Sequence, residues 1–198
     1  MISFINDCQE IPYLIFKEKY NEAIKKNQSF IEAMAITSFS IKNNEVDSRF
    51  VNLKIVDSKS FIFFTNYLSP KAFDFDEHPQ VSLSFFWDTT NTQIRIKATI
   101  KKTSLKYNNQ YFKGRSKEKN ILAICSNQSS EIDSYDLIKK KYEKTLKEKK
   151  IEDCPDYWGG YACIPYYFEF WTGHKHRINI REAYSKNGYK WKKAILEP

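Results

Sequence analysis

The sequence predicts a mainly β fold with α additions, a mostly antiparallel barrel carrying helical excursions, and three observations lead there. About seven or eight short runs are rich in β-branched and aromatic residues or alternate polar with apolar. Tight polar turns separate them, and only the stretch from Ser104 to Lys150 departs for long into helical spacing. With 198 residues, 41% hydrophobic and 16% aromatic, but only 5 Gly and 6 Pro, the chain suits one well-packed domain and excludes collagen-like or disordered classes.

Taken in order, Phe16 to Lys26 spaces Phe16, Tyr20, Ala23 and Ile24 as a short amphipathic helix ahead of the sheet. Residues 1–28 therefore read as an N-terminal helical segment, and 29–198 as a single domain with helical insertions at about 104–150. Strands are expected at Phe30 to Phe39, Arg49 to Val56, Phe61 to Asn66, Val81 to Trp87 and Thr92 to Lys101, with turns at Lys42 to Asp47 and Asp57 to Ser60. Ile94, Ile96, Ala98 and Ile100 alternate with Arg95, Lys97 and Thr99, which marks a strand with one polar face. Pro70 suits the first turn of a short helix from Ser69 through Phe75, because its missing N–H has no partner to lose there. Two or three helices follow, the last opened by Ser130 and Asp133 in a variant capping box and striped by Ile132, Tyr135, Ile138, Tyr142 and Leu146. Strands return at Tyr161 to Thr172, Lys175 to Ala183 and Tyr189 to Leu196, the last two joined by a hairpin turn at Lys186-Asn187-Gly188.

The N-terminus carries Asp7 and Glu10 with no basic region before an apolar run, and no apolar stretch has membrane-spanning length, so a cytoplasmic protein is expected. Cys8, Cys125, Cys154 and Cys163 stand 117, 29 and 9 residues apart, without the close pairs of zinc or redox sites, and read as reduced structural thiols. A net charge of +8 favours an anionic partner. The dense group Lys139, Lys140, Lys141, Lys144, Lys147, Lys149 and Lys150 is interleaved with Glu143 and Glu148 and reads as a solvated helix face, so nucleic-acid binding is not expected. His174 and His176, placed by the pattern on one strand face, lack further ligands for a metal site.

The five arginines are more informative, because 27 of the 32 basic residues are Lys and Arg supplies a planar fork for phosphate or carboxylate. Arg49-Phe-Val-Asn-Leu-Lys54 is cationic at both ends, Arg115 follows Tyr111-Phe112 at a helix end, and Arg177-Ile-Asn-Ile-Arg181 sets two guanidinium groups four residues apart on one face of an expected strand. Together with Phe61 to Lys71, Gln93-Ile-Arg-Ile, Gln128-Ser129-Ser130, Tyr157-Trp-Gly-Gly-Tyr161 and Glu169-Phe-Trp171, these ordered segments resemble the pyridoxine (pyridoxamine) 5′-phosphate oxidases from about Phe30 to Pro198. The resemblance implies an FMN-binding split β-barrel, a homodimer with FMN at its interface, and oxidation of a phosphorylated B6 vitamer to pyridoxal 5′-phosphate with O2 reduced to hydrogen peroxide. A flavin would carry the redox step, which suits a chain without an evident nucleophile or metal motif.

The resemblance assigns the FMN contacts to Arg49, Phe50, Val51, Asn52, Leu53, Lys54, Phe64, Thr65, Lys71, Gln93, Gln128, Ser129, Trp171 and Arg181. Arg49 and Lys71 would hold the cofactor phosphate and Gln93 the isoalloxazine edge. Lys54, Tyr111, Arg115 and Lys119 would hold the substrate phosphate, while Arg177 and Asn179 would lie at the reacting carbon as the catalytic pair. Three departures from the family pattern stand out: Lys119 replaces a Ser, Pro70 an Arg, and Asn179-Ile180 a His-Asp pair. Asn cannot exchange a proton near neutral pH. These departures keep two alternatives open, a related FMN-dependent oxidase with another substrate, as in phenazine pathways, and a non-catalytic binder of FMN or pyridoxal phosphate.

Overall fold

The computed structural model describes residues 1–147 and 153–198. Strands β1 (Ser3–Ile5), β2 (Ala33–Ser40), β3 (Glu45–Asn52), β4 (Ile55–Asp57), β5 (Ser60–Asn66), β6 (Gln80–Trp87), β7 (Thr92–Lys102), β8 (Trp158–Thr172), β9 (Ile180–Asn187) and β10 (Lys190–Ile195) form one sheet. Helices α1 (Ile11–Lys25), α2 (Pro70–Glu77), α3 (Leu105–Lys113), α4 (Lys117–Cys125) and α5 (Tyr135–Leu146) are inserted between them. The sheet order is β1-β4-β5-β8-β7-β6-β2-β3, with β9 and β10 continuing from β8, and every pairing is antiparallel except β1 with β4. The architecture is therefore the mainly β split barrel with α additions that the sequence led us to expect.

The long strand β8 creates the split. One edge pairs with β7 over 161–172, while the other pairs with β5 over 158–163 and with β9 over 167–172. Between the halves Pro165 has no N–H to donate, and the register with β7 shifts at Lys97/Ala98, as a bulge does when it bends a strand. Alternating residues of β2, β5, β6, β7 and β8, among them Ile36, Phe61, Phe85, Ile96 and Phe168, point into one core. Helix α1 lays Tyr13, Phe16, Tyr20 and Ala23 onto that core, with the Phe16 and Phe61 ring centroids 4.8 Å apart. Burial of each such aromatic side chain contributes about 1.5–3 kcal/mol.

Several boundaries differ from the sequence reading, each for a local reason. Helix α1 starts at Ile11, with Pro12 in its first turn, and β1 precedes it, tied by the Ile2 N–H to the Tyr20 hydroxyl at 2.8 Å. β2 begins at Ala33, because Phe30 sits at φ 49° and turns the chain outward. The expected strand Arg49 to Val56 breaks at Leu53-Lys54: Leu53 turns fully into the core and the Lys54 N–H bonds across to Ile62. Helix α5 opens at Tyr135 after Ser134, not on a Ser130–Asp133 box, since the Ser130 N–H already closes a turn onto Asn127. Its apolar stripe is half exposed, with Ile132, Tyr135 and Leu146 open to solvent. Lys139, Lys140, Lys141, Lys144 and Lys147 are all exposed; Glu148, Lys149 and Lys150 lie outside the described residues.

The largest correction is at Lys175 to Ala183. The strand starts only at Ile180, and 173–179 is a turn in which Arg177 takes φ 63° and donates its N–H to the His174 carbonyl at 2.8 Å. His174 and His176 therefore do not alternate on a strand; their rings lie 5.5 Å apart in the turn. Nor do Arg177 and Arg181 share a strand face, as Arg177 lies in the turn. The last hairpin closes one residue later than expected, on Gly188-Tyr189, where Gly188 supplies φ 59°.

Candidate active site

A cleft of about 850 Å³ opens between the barrel and helices α3 and α4. Its barrel side is Phe50, Val51, Asn52, Lys54, Phe64, Thr65 and Trp158, and its helical side is Tyr107, Tyr111, Arg115, Lys119 and Leu122, with Gln128 closing one end. Helix α3 is set in place by its own sequence. The Ser104 hydroxyl caps it by accepting the Tyr107 N–H at 3.3 Å, and the buried Asn108 side chain donates to the Tyr67 hydroxyl (3.1 Å) and accepts the Gly160 N–H (3.0 Å). Gly159 is required beside this network, since a Cβ there would lie 2.2 Å from the Tyr67 hydroxyl. Tyr107 and Tyr111, four residues apart, consequently share the face toward Phe64.

The cleft has an aromatic floor and a cationic rim. The Phe64 and Tyr111 rings stack 3.6 Å apart at 4°, and Trp158 lies nearly parallel to Phe64 at 5.3 Å. The Arg115 guanidinium sits 4.3 Å over Trp158 and donates through Nη2 to the Lys119 carbonyl at 3.3 Å. Its Nη1 is buried without a partner, and no carboxylate pairs with it among the described residues. Burial pushes the Arg115 guanidinium downward and the Tyr111 phenol upward. Arg nevertheless stays charged, so the rim keeps an uncompensated cation. Lys54 pairs with Glu32 at 2.5 Å; burial alone would raise that carboxyl, but its bonds from Lys54 and the chain amino group hold it below the ordinary range.

A second cation pair adjoins the cleft. Gln128 Oε1 accepts from the Thr65 hydroxyl and the Asn66 N–H, both at 3.3 Å, and the Asn66 carbonyl accepts from Ser69, whose Oγ accepts from Lys71 Nζ at 3.0 Å. Lys71 is only 5% exposed and makes no ion pair among the described residues. Burial, with the charge of Arg49 beside it, pushes its ammonium down to about 8. Arg49 donates to Ser38 Oγ at 2.8 Å and pairs with Asp47.

The other sequence-assigned residues stand apart from this cleft in the single chain. Gln93, Trp171 and Arg181 face one another in register across β7, β8 and β9, so residues far apart in sequence share one row. Arg177 and Asn179 occupy the 173–179 turn, where Asn179 Oδ1 accepts the His174 N–H at 3.0 Å. Ser129 follows α4 at φ 68°, and Leu53 belongs to the core. Sequence reasoning passed over Tyr107 and Asn108 of α3, and gave no role to Glu169, whose carboxylate receives Arg95 and Arg181. The signal for Glu169 was a lone acid inside an aromatic strand, where an unpaired charge is not tolerated.

Fold and cleft define a split-barrel protein whose cleft has an aromatic floor and a cationic rim. Residues 16–148 match the family model described as pyridoxamine 5′-phosphate oxidase, and 158–198 match that of the pyridoxine 5′-phosphate oxidase C-terminal dimerisation region. The chain belongs to the pyridoxamine 5′-phosphate oxidase family and is an oxidoreductase of that family. Among its relatives, a pyridoxine/pyridoxamine 5′-phosphate oxidase of Coxiella burnetii is 36% identical over 97% of this chain and 98% of its own. One from Hydrogenovibrio crunogenus is 34% identical over 97% of this chain and 90% of its own. PhzG from Burkholderia lata, solved with tetrahydrophenazine-1-carboxylic acid, shares the fold at TM-score 0.89 and 24% identity, covering 94% of this chain and 92% of that one. An FMN-binding, pyridoxamine 5′-phosphate oxidase-related protein from Nostoc punctiforme superposes at TM-score 0.77 with 11% identity, covering 92% and 97%.

Proposed function

We propose that the protein is an FMN-dependent oxidase that converts pyridoxine 5′-phosphate or pyridoxamine 5′-phosphate to pyridoxal 5′-phosphate, as in B6 salvage. The observation that carries this reading is the unpartnered Arg115 Nη1 at a rim shared with Lys54 and Lys119, beside a floor of stacked rings. A phosphate dianion offers acceptors to such a rim and a pyridine ring suits such a floor. The residues also fit FMN, because the buried Lys71 makes no ion pair among the described residues, while Arg49 beside it is already paired with Asp47, so a second phosphate would supply the anion that Lys71 lacks. Arg49 and Lys71 would hold that phosphate, with the strand from Phe50 to Lys54, Phe64, Thr65, Gln128 and Ser129 around it. The row Gln93, Trp171 and Arg181 and the turn bearing Arg177 and Asn179 reach the site from a second copy, which makes the active form a homodimer with FMN at its interface.

Bound FMN supplies the hydride acceptor and the reactivity toward O2. The overall change is balanced: the C4′ alcohol and O2 give the aldehyde and H2O2, and the C4′ amine additionally takes up water and releases ammonia. Lys54, Arg115 and Lys119 bind the substrate phosphate, and Tyr111 donates its hydroxyl, kept protonated by burial. Arg177 lies over the ring, and Asn179 orients the C4′ group by hydrogen bonding without exchanging a proton. No helix among the described residues is long and apolar enough to cross a membrane.

Asn179 and Lys119 favour a second reading, the same flavin site with a different, phenazine-pathway-like substrate. Anaerobic mixing of the FMN-loaded protein with each phosphorylated vitamer, and with phosphate-free pyridoxine, separates the two. Bleaching of the flavin absorbance by the phosphorylated compounds, reversed on admitting air, is the expected result. No bleaching with stoichiometric FMN overturns the B6 assignment.

A further inference from the structure

Glu169 lies in the second half of β8, in a run from Tyr166 to Trp171 that is otherwise aromatic. Its side chain is 4% exposed, and a carboxylate so placed is tolerated only where donors surround it. Four donors do. Oε1 accepts Arg181 Nε at 3.0 Å and Arg181 Nη2 at 2.8 Å, and Oε2 accepts Arg95 Nη1 at 3.0 Å and the Tyr167 hydroxyl at 2.9 Å. Strand register creates this arrangement: Arg95 stands directly opposite Glu169 on β7, and Arg181 is diagonal to it on β9.

Arg181 is also held on its far side. Its Nη1 donates to the Glu197 carbonyl at 2.8 Å, and its own carbonyl accepts the Leu196 N–H at 3.0 Å, so the C-terminal residues close the socket. Three of the five guanidinium N–H groups are thus engaged within the chain, leaving one on each terminal nitrogen for a ligand. The row beside it holds Trp171 and Gln93. Two guanidinium groups against one carboxylate leave a net positive charge there, and Glu169 keeps Arg95 and Arg181 from repelling each other. Burial alone would raise the Glu169 carboxyl, but the bonds from Arg181 and Tyr167 and the charge of Arg95 hold it below the ordinary range.

We propose that Glu169 is a positioning residue of the flavin site, a buried carboxylate that fixes the orientation of Arg181 and through it the affinity for FMN. This rests on the reading above in which Arg181 contacts the cofactor. The test is titration of the FMN-free protein with FMN, followed by flavin fluorescence and visible circular dichroism, with thermal melts of each FMN-free variant alongside. Arg181→Lys and Glu169→Gln should each weaken FMN binding about tenfold, as expected for a lost charge-assisted contact. The double variant should be no more than about twofold weaker than Arg181→Lys, because Glu169 acts only through Arg181. Glu169→Asp keeps the charge but retracts it, serves if Glu169→Gln does not fold, and should shift the visible dichroism in the same direction as Arg181→Lys. Losses that add in the double variant overturn the proposal, as do Glu169 variants that bind FMN within twofold of wild type while Arg181→Lys is impaired. Wild-type affinity in Arg181→Lys itself overturns the underlying assignment of Arg181, and the proposal with it.

Discussion

Replacing Lys71 by Met should stabilise the FMN-free protein at pH 7 while weakening its hold on the cofactor. Lys71 is buried, donates to Ser69 at 3.0 Å and has Arg49 beside it. Its displacement from the ordinary 10.5 down to about 8 corresponds to about 3 kcal/mol against the charged native form, at about 1.4 kcal/mol for each tenfold. Met fills a similar volume without charge, and loss of the Ser69 hydrogen bond subtracts about 1 kcal/mol, leaving about 2 kcal/mol of stabilisation. For a chain of this length that is a rise of about 4–8 °C in Tm. The sign with pH follows from proton binding. Below pH about 8 Lys71 is charged in both folded and unfolded states and the native state bears the full cost; between about 8 and 10.5 the unfolded chain holds a proton that the native state lacks, so wild-type stability rises. The advantage of Lys71→Met should therefore be greatest at neutral pH, vanish at pH about 9.5 and reverse above it. Paired thermal melts of the two FMN-free proteins from pH 6.5 to 10 measure it. A variant less stable than wild type at pH 7, or an advantage that does not shrink with pH, would show that the buried Lys71 charge does not burden the native state.

Arg115→Lys keeps the charge but loses both the planar contact with Trp158 and the fork, so steady-state kinetics should show KM for the phosphorylated substrate raised about 10–100-fold with kcat much less changed. Gly159→Ala drives a methyl into the bonded pair Tyr67 and Asn108 that seats α3, and urea denaturation should register a loss of about 1–3 kcal/mol. On the proposed assignment of Asn179 to the reacting carbon, Asn179→His introduces a titrating group there, so the pH profile of kcat/KM should gain an inflection at about 6.5. A profile unchanged between pH 5.5 and 8.5 would place position 179 away from the chemistry.

The fold class was legible because strand periodicity and turn composition are local properties. The runs around Phe61 to Asn66, Val81 to Trp87 and Thr92 to Lys101 nearly coincide with β5, β6 and β7. The failures came where specific hydrogen bonds or burial overrode a strand-like pattern. His174 to Asn179 carries strand-like alternation, yet side-chain and backbone bonds onto His174 close it as a turn. Leu53 continues a strand pattern but is drawn into the core, breaking Arg49 to Val56 into two strands.

For the site, residue types and their order were already legible in the sequence by itself: scarce arginines, phosphate-type cations and aromatic strands in an order that resembles one enzyme family. It could not show which of those groups meet. Tertiary structure decided that Phe64, Tyr111, Arg115, Lys119 and Gln128 share one cleft, while Gln93, Trp171 and Arg181 form a separate row. It also revealed Glu169 as the partner of Arg95 and Arg181. The physical reason is that pairing depends on strand register and on the α3 seat beneath Gly159, both set by contacts between residues tens of positions apart, whereas residue type and spacing report only what each segment can offer.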